Sequence, residues 1–313
     1  VSRSRRSLVL AAALAAACGE DATAPGRCPD FCPGGQITVV DTLLTTLVQR
    51  DSAFRGYVTP PEGAALIAAS LPGVVDSRPV IRFQPLGTTV RFGTDTTQHP
   101  IVATDSARFA LTIVRRDTAA GNLRLRLFRL PPTLDSNATF ADLAGPFTDS
   151  LVHEVNVDSV LALPGRRDSV TGDSVFAAGG DTLLILLKLD SAQTRYVAAD
   201  SGTVSYGVRV AADTATSVAF GANLSGDPPV LTWFFNVDSV GTPVTSSRVL
   251  APTFNAYVFD PPAAALDSTL AVGGMPSARS LLRLPLPRAL RDSTQIVRAT
   301  LLLFPAAVAQ GAP

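Results

Sequence analysis

Phe109-Ala110-Leu111-Thr112-Ile113, the polar run Asp117 to Asn122, and Leu123-Arg124-Leu125-Arg126-Leu127 form the stretch whose reading decides the fold class. Apolar residues at every second position place one face on a core and leave the arginines in water, which is the pattern of a half-buried strand. The Asp, Gly and Asn between the two runs favour a turn, so the stretch predicts a β-hairpin with one wet face. Outward from it the same signal repeats. Ser205-Tyr206-Gly207-Val208-Arg209-Val210 alternates, and Val230-Leu231-Thr232-Trp233-Phe234-Phe235 follows a Gly-Asp-Pro-Pro turn. The run TLLILLKL between Asp181 and Asp190 is short and tightly bounded, so it reads as a buried strand. Aspartate followed by serine or threonine recurs along the chain, as in Asp105-Ser106 and Asp173-Ser174. Both side chains bond nearby backbone, so these pairs read as turn punctuation. No window carries a long helical period with caps. The expected fold class is all-β, an antiparallel, jelly-roll-like β-sandwich.

The chain also repeats itself. Phe54 opens FRGYVTPP and Phe254 opens FNAYVFDPP, while Arg82 and Phe83 of RPVIRF stand where Arg283 and Leu284 stand in SLLRLP. Tyr57 to Arg82 is 25 positions and Tyr257 to Arg283 is 26, so the two copies keep register with one insertion. Equivalent repeat positions favour a place in the core for Tyr57 and Tyr257. The order AYV, STLAVGG, ARSLLRLPLP and IVRATLLL, together with VSYGVRVAADTATSVAFGANLSGDPPVLTWFF from Val204 to Phe235, resembles the bacterial DNRLRE-type domain. That resemblance implies secreted β-sandwich modules, some of which are classed with carbohydrate-binding modules. It divides the chain into a complete domain over residues 37–238 and the first half of a second, truncated copy over residues 249–313.

Residues 1–18 read as a lipoprotein signal peptide. Arg3, Arg5 and Arg6 precede an apolar run from Leu8 to Ala17, too short as a helix to cross a hydrocarbon core of about 30 Å. Leu14-Ala15-Ala16-Ala17-Cys18 resembles a lipobox, which implies a diacylglycerol on Cys18, a membrane attachment through that lipid, and a place at the outer membrane or cell surface. Residues 19–36, rich in Gly, Pro and Asp, read as a flexible tether. Within it Cys28 and Cys32 are expected to form a local disulfide, as export places them in an oxidising compartment. Two thiols supply half of a zinc site, and no histidine lies near them.

Composition limits the rest. With 313 residues, 46% hydrophobic and 17% charged, the chain can bury a sizeable core. Its net charge is zero and Lys188 is its one lysine, so it lacks the basic stripe of a nucleic-acid binder. The histidines are His99 and His153, and His153-Glu154 lies near Asp149-Ser150. A hydrolase triad needs an imidazole between a nucleophile and a carboxylate, yet Ser205 in GTVSYG lacks the nucleophile-elbow spacing. No phosphate-binding loop, dinucleotide fingerprint or paired-histidine zinc motif is present, so no cofactor is expected, and the aspartates lack the spacing of a calcium loop. No catalytic or metal-ligating residue is assigned. Aromatic platforms for sugar are sparse, with Trp233 in a dense apolar strand and tyrosines at 57, 196, 206 and 257. The expected role is non-enzymatic: adhesion, scaffolding or glycan binding at the envelope, with polysaccharide or a surface protein as partner. The competing expectation is an envelope hydrolase using His153 or paired aspartates.

Overall fold

The computed structural model describes residues 40–44, 48–55, 59–91, 96–195, 197, 200–239, 242–260, 270, 272–275, 277–292 and 295–305. The signal segment with Cys18, the tether with Cys28 and Cys32, and Tyr57 and Tyr196 lie outside the described residues. Residues 1–48 and 49–313 are separate units; in the first, residues 40–44 and 48 have no regular secondary structure.

In the second unit every pairing between the described strands is antiparallel. Its strands are β1 (Arg50–Arg55), β2 (Ala65–Leu71), β3 (Val75–Phe83), β4 (Thr89–Arg91), β5 (Gln98–Arg116), β6 (Arg124–Leu130), β7 (Leu151–Asn156) and β8 (Ser174–Gly179). They continue with β9 (Thr182–Asp190), β10 (Ser205–Ala211), β11 (Thr216–Gly221), β12 (Val230–Ser239), β13 (Thr242–Leu250), β14 (Pro252–Phe259) and β15 (Ala278–Arg283). Among the described residues, α1 (Pro146–Asp149), α2 (Val157–Ala162) and α3 (Ser191–Thr194) lie between strands, and α4 (Arg288–Asp292) follows β15. β1 and β15 make a two-stranded sheet, and the other 13 strands form one sheet that curls back on itself. One wall holds β8, β9, β5, β12 and β13; β11 bonds to both β5 and β2 and so leads into the other wall of β2, β3, β14, β10, β6 and β7. Register shifts in the β5–β11 and β5–β12 pairs are bulges, which raise the local twist where the sheet bends.

Alternation explains what fills the interior. Phe109, Leu111 and Ile113 of β5, Leu125 and Leu127 of β6, and Leu183, Ile185, Leu187 and Leu189 of β9 are all buried in one cluster. Phe109 packs against Phe83 and Tyr206 at ring separations of 5.6 and 5.5 Å, joining the two walls edge to face and at a tilt. Each such side chain contributes about 1.5–3 kcal/mol by leaving water. Trp233 is fully buried here too.

The structure departs from the expected hairpin. β5 and β6 do not pair: β5 bonds to β4, β9, β11 and β12, and β6 bonds to β10 and β7. Residues 117–122 arch between the walls, anchored by Asp117 N–H to Ser217 O (3.3 Å) and Asp213 N–H to Gly121 O (3.0 Å). Alternation decides which face is buried; it does not name the neighbour. Residues 249–259, read as the opening of a second module, also belong to this sheet, because β13 pairs with β12 and β14 pairs with β3.

A second, smaller core lies on the outer face of β3, β6, β10 and β14. The segment after β6 covers it, laying Leu134, Leu143 and Phe147 on Val80, Phe128, Leu130, Ala256 and Val258. Gly207 makes this possible, since a Cβ there would collide with the Phe147 ring. The tyrosine-glycine pair of β10 therefore serves both faces: Tyr206 fills the main core and Gly207 clears space for the second.

Candidate functional site

Two polar clusters meet at the start of β8. The first is buried. Asp173 is fully buried; its Oδ1 accepts the Lys188 backbone N–H (2.9 Å) and its Oδ2 lies 2.8 Å from His153 Nε2. The other imidazole nitrogen, Nδ1, is 3.3 Å from Gln193 Nε2. The orientation of that amide is fixed, because Gln193 Oε1 accepts from Asp190 N–H while Nε2 donates to Val152 O at 3.0 Å. Nε2 of the glutamine can only donate, so His153 Nδ1 accepts and Nε2–H donates to Asp173. Both imidazole nitrogens are occupied, and the ring is a strut between β7, the start of β8 and α3.

The residues that sequence proximity suggested as partners are elsewhere. Glu154 pairs with Arg126 across the β6–β7 ladder, and Ser150 Oγ donates to Arg129 O at 2.7 Å. Ser205 is buried on β10, and His99 Nδ1 lies 3.1 Å from Asp238 O. No group of three or more His, Cys, Asp or Glu suited to a metal ion occurs among the described residues. No helix among them is long and apolar enough to cross a membrane.

The second cluster is exposed. The loop between α2 and β8 closes on itself through Asp168 N–H to Asp173 O and Gly172 N–H to Asp168 O, both 2.9 Å. Asp168 Oδ1 accepts the Val170 N–H at 2.7 Å, and that bond holds the exposed carboxyl below the usual carboxylate range. Arg167 bridges to Ser174 at the start of β8. Between this loop and the outer face of β5, β8 and β9 opens a cleft of about 330 Å³, lined by Arg108, Arg167, Lys188, Phe176, Leu186 and Gly172 among others. That is the lower end of the size range for small-ligand sites.

Its electrostatics are one-sided. Arg108 of β5 and Lys188 of β9 stand directly opposite each other in register, both exposed, and Arg167 lines the cleft beside them. Like charges placed directly across a ladder are destabilising. None of the three has an ion-pair partner among the described residues. The stem of Lys188 runs over Gly172, whose φ is +83°; a Cβ there would come within 2.8 Å of Lys188 Cδ. The backbone turn favours a residue without a side chain here, and a Cβ would displace the lysine stem that lies on it. Apolar surface completes the wall: Phe176 is 39% exposed, and the Arg108 guanidinium sits 6.0 Å from the Phe234 ring.

Sequence reasoning named none of these three cations as a site. They come from three separate segments, and only the position of Lys188 as the single lysine set one of them apart. No protein-family model matches the chain, and no curated protein matches it either.

Proposed function

We propose that the chain is an exported, lipid-tethered β-sandwich protein that holds anionic polysaccharide at the cell envelope, in an adhesive or scaffolding role without catalysis. The observation that carries this reading is the convergence of Arg108, Arg167 and Lys188, without ion-pair partners among the described residues, on one open cleft beside exposed Phe176. A carboxylate or sulfate accepts the forked guanidinium hydrogens and the ammonium at once, and relieves the Arg108–Lys188 opposition. The ring offers a flat apolar face to a sugar. The sequence supports the address through the charged and apolar segments before Cys18, and the DNRLRE-type resemblance fits a secreted binding module. Both ring nitrogens of His153 are hydrogen-bonded, which favours the non-catalytic reading over a hydrolase that uses His153 as its base.

The test is retention of the purified full chain on carboxylated, sulfated and neutral polysaccharides of matched length. Binding is expected to the two acidic polymers, to weaken steeply with salt, and to fall by more than about tenfold in Arg108→Ala/Lys188→Ala, since a single hydrogen bond to a charged group contributes roughly 1.5–3 kcal/mol. Equal retention on the neutral polymer, or an unaffected double variant, would overturn the proposal. The lipid is tested separately, by the mass of the chain produced in a bacterial envelope beside its Cys18→Ser variant.

A further inference from the structure

The two sequence repeats are cross-paired. β14, the opening strand of the second copy, bonds along β3, the arginine strand of the first, with Phe254 opposite Arg82. β1, whose last two residues, Phe54 and Arg55, open the first copy, bonds along β15, the arginine strand of the second, with Phe54 opposite Arg279. The equivalence extends into the backbone: Gly73 and Gly274 both have positive φ (72° and 69°), each five positions before an arginine, Arg78 or Arg279. Numbered by the first copy, Arg279 corresponds to Arg78, so the two pairings differ in register by four residues, an even slip that keeps every side chain on its own face.

The link between the walls is very short. β13 ends at Leu250, paired to β12 in one wall, and β14 begins at Pro252, paired to β3 in the other, so Ala251 alone spans the change. Short hinges favour exchange of the following element between molecules, because opening the hinge carries that element onto a second copy with all its contacts intact. We infer that β14 and β15 exchange between two copies of this chain, β14 of one filling the β3 edge of the other. The exchanged form repeats both pairings, β14 on β3 and β15 on β1, so concentration selects between closed monomer and dimer.

The experiment uses full chains with Cys18, Cys28 and Cys32 replaced by serine. Val80 and Ala256 face each other across β3 and β14, and both are buried in the second core, so cysteines placed there can form a disulfide. A Val80→Cys chain and an Ala256→Cys chain are mixed, unfolded, refolded together and oxidised. A disulfide-linked heterodimer, growing with concentration and falling at least tenfold when four Gly/Ser residues are inserted after Ala251, supports exchange. The chain carrying both cysteines reports on the pairing itself. An internal disulfide in that chain with no heterodimer from the mixture overturns the inference, as does the absence of any cross-link in either.

Discussion

Asp173 and Lys188 are joined by a hydrogen bond from the lysine backbone N–H to the aspartate carboxylate, yet they belong to clusters built on opposite terms. Around Asp173, every donor named above meets an acceptor and the group is out of water. Around the Lys188 ammonium, three cations share a face without an acceptor among the described residues. Satisfied, buried polarity holds the chain in place; unsatisfied, exposed polarity is available to something else. A histidine beside a carboxylate looks like chemistry in a list of residues, but the geometry makes it a brace. Cations scattered through a neutral sequence look inert, and the fold gathers them.

The largest effect belongs to the brace. Asp173→Ala leaves the Lys188 N–H and the His153 imidazole without their acceptor in a dry site, at about 1–3 kcal/mol for each orphaned group. The expected outcome is a loss of roughly 2–5 kcal/mol, read as a lower urea midpoint at unchanged slope. Asp173→Asn keeps one acceptor and should fall between. A variant as stable as the parent would end the contrast, since the buried cluster would then hold nothing.

Next comes a buried group with a single polar tip. Tyr206 sits fully inside the main core, and burial pushes its hydroxyl up to about 12 from its ordinary 10.0, with the positive charge of Arg129 opposing. Between those values the unfolded chain loses the proton and the folded chain keeps it. The stabilisation is therefore complete below pH 10 and is lost as pH rises toward 12. At about 1.4 kcal/mol per pH unit, two units amount to roughly 3 kcal/mol. Urea midpoints at pH 9 and pH 11.5 should diverge in the parent chain and diverge less in Tyr206→Phe, where Tyr257, whose hydroxyl burial also pushes up, keeps a share of the effect.

What the sequence disclosed follows the same division. Period-two alternation in LRLRL, YGVRV and LTWFF located β6, β10 and β12 and the faces they bury, because that signal is local. TLLILLKL, read as a buried strand, is one, with alternate residues buried and Lys188 turned out. Partners were another matter. The stretch from Phe109 to Leu127 has the composition of a hairpin and the geometry of an arch, since which strand lies beside β5 depends on segments a hundred residues away. Asp173 reads as one more Asp-Ser turn until the loop closes and places it against His153, twenty residues earlier. The cleft draws on β5, the loop before β8, and β9, so no window of sequence contains it.

Gly172 lies where the two clusters touch. Gly172→Ala places a Cβ against Lys188 Cδ and asks an L-residue to hold φ +83°. A cost of about 1–2 kcal/mol is expected from the backbone, together with a severalfold loss of acidic-polymer binding as the lysine is displaced. Loss of stability without loss of binding would separate the lysine from the site.

The smallest effect has the unusual sign. Arg108 and Lys188 oppose each other in register on the exposed face of β5 and β9, and such like-charge pairs destabilise a ladder by about 0.2–1 kcal/mol. Replacing Arg108 with threonine keeps strand propensity and removes the repulsion, so the chain should become slightly more stable while its grip on acidic polymer weakens. Added polymer should then raise the melting temperature of the parent and leave that of Arg108→Thr nearly unchanged. A less stable Arg108→Thr chain would mean that the guanidinium serves the fold through its place over Phe234, and the cleft would lose its claim to be held open for a ligand.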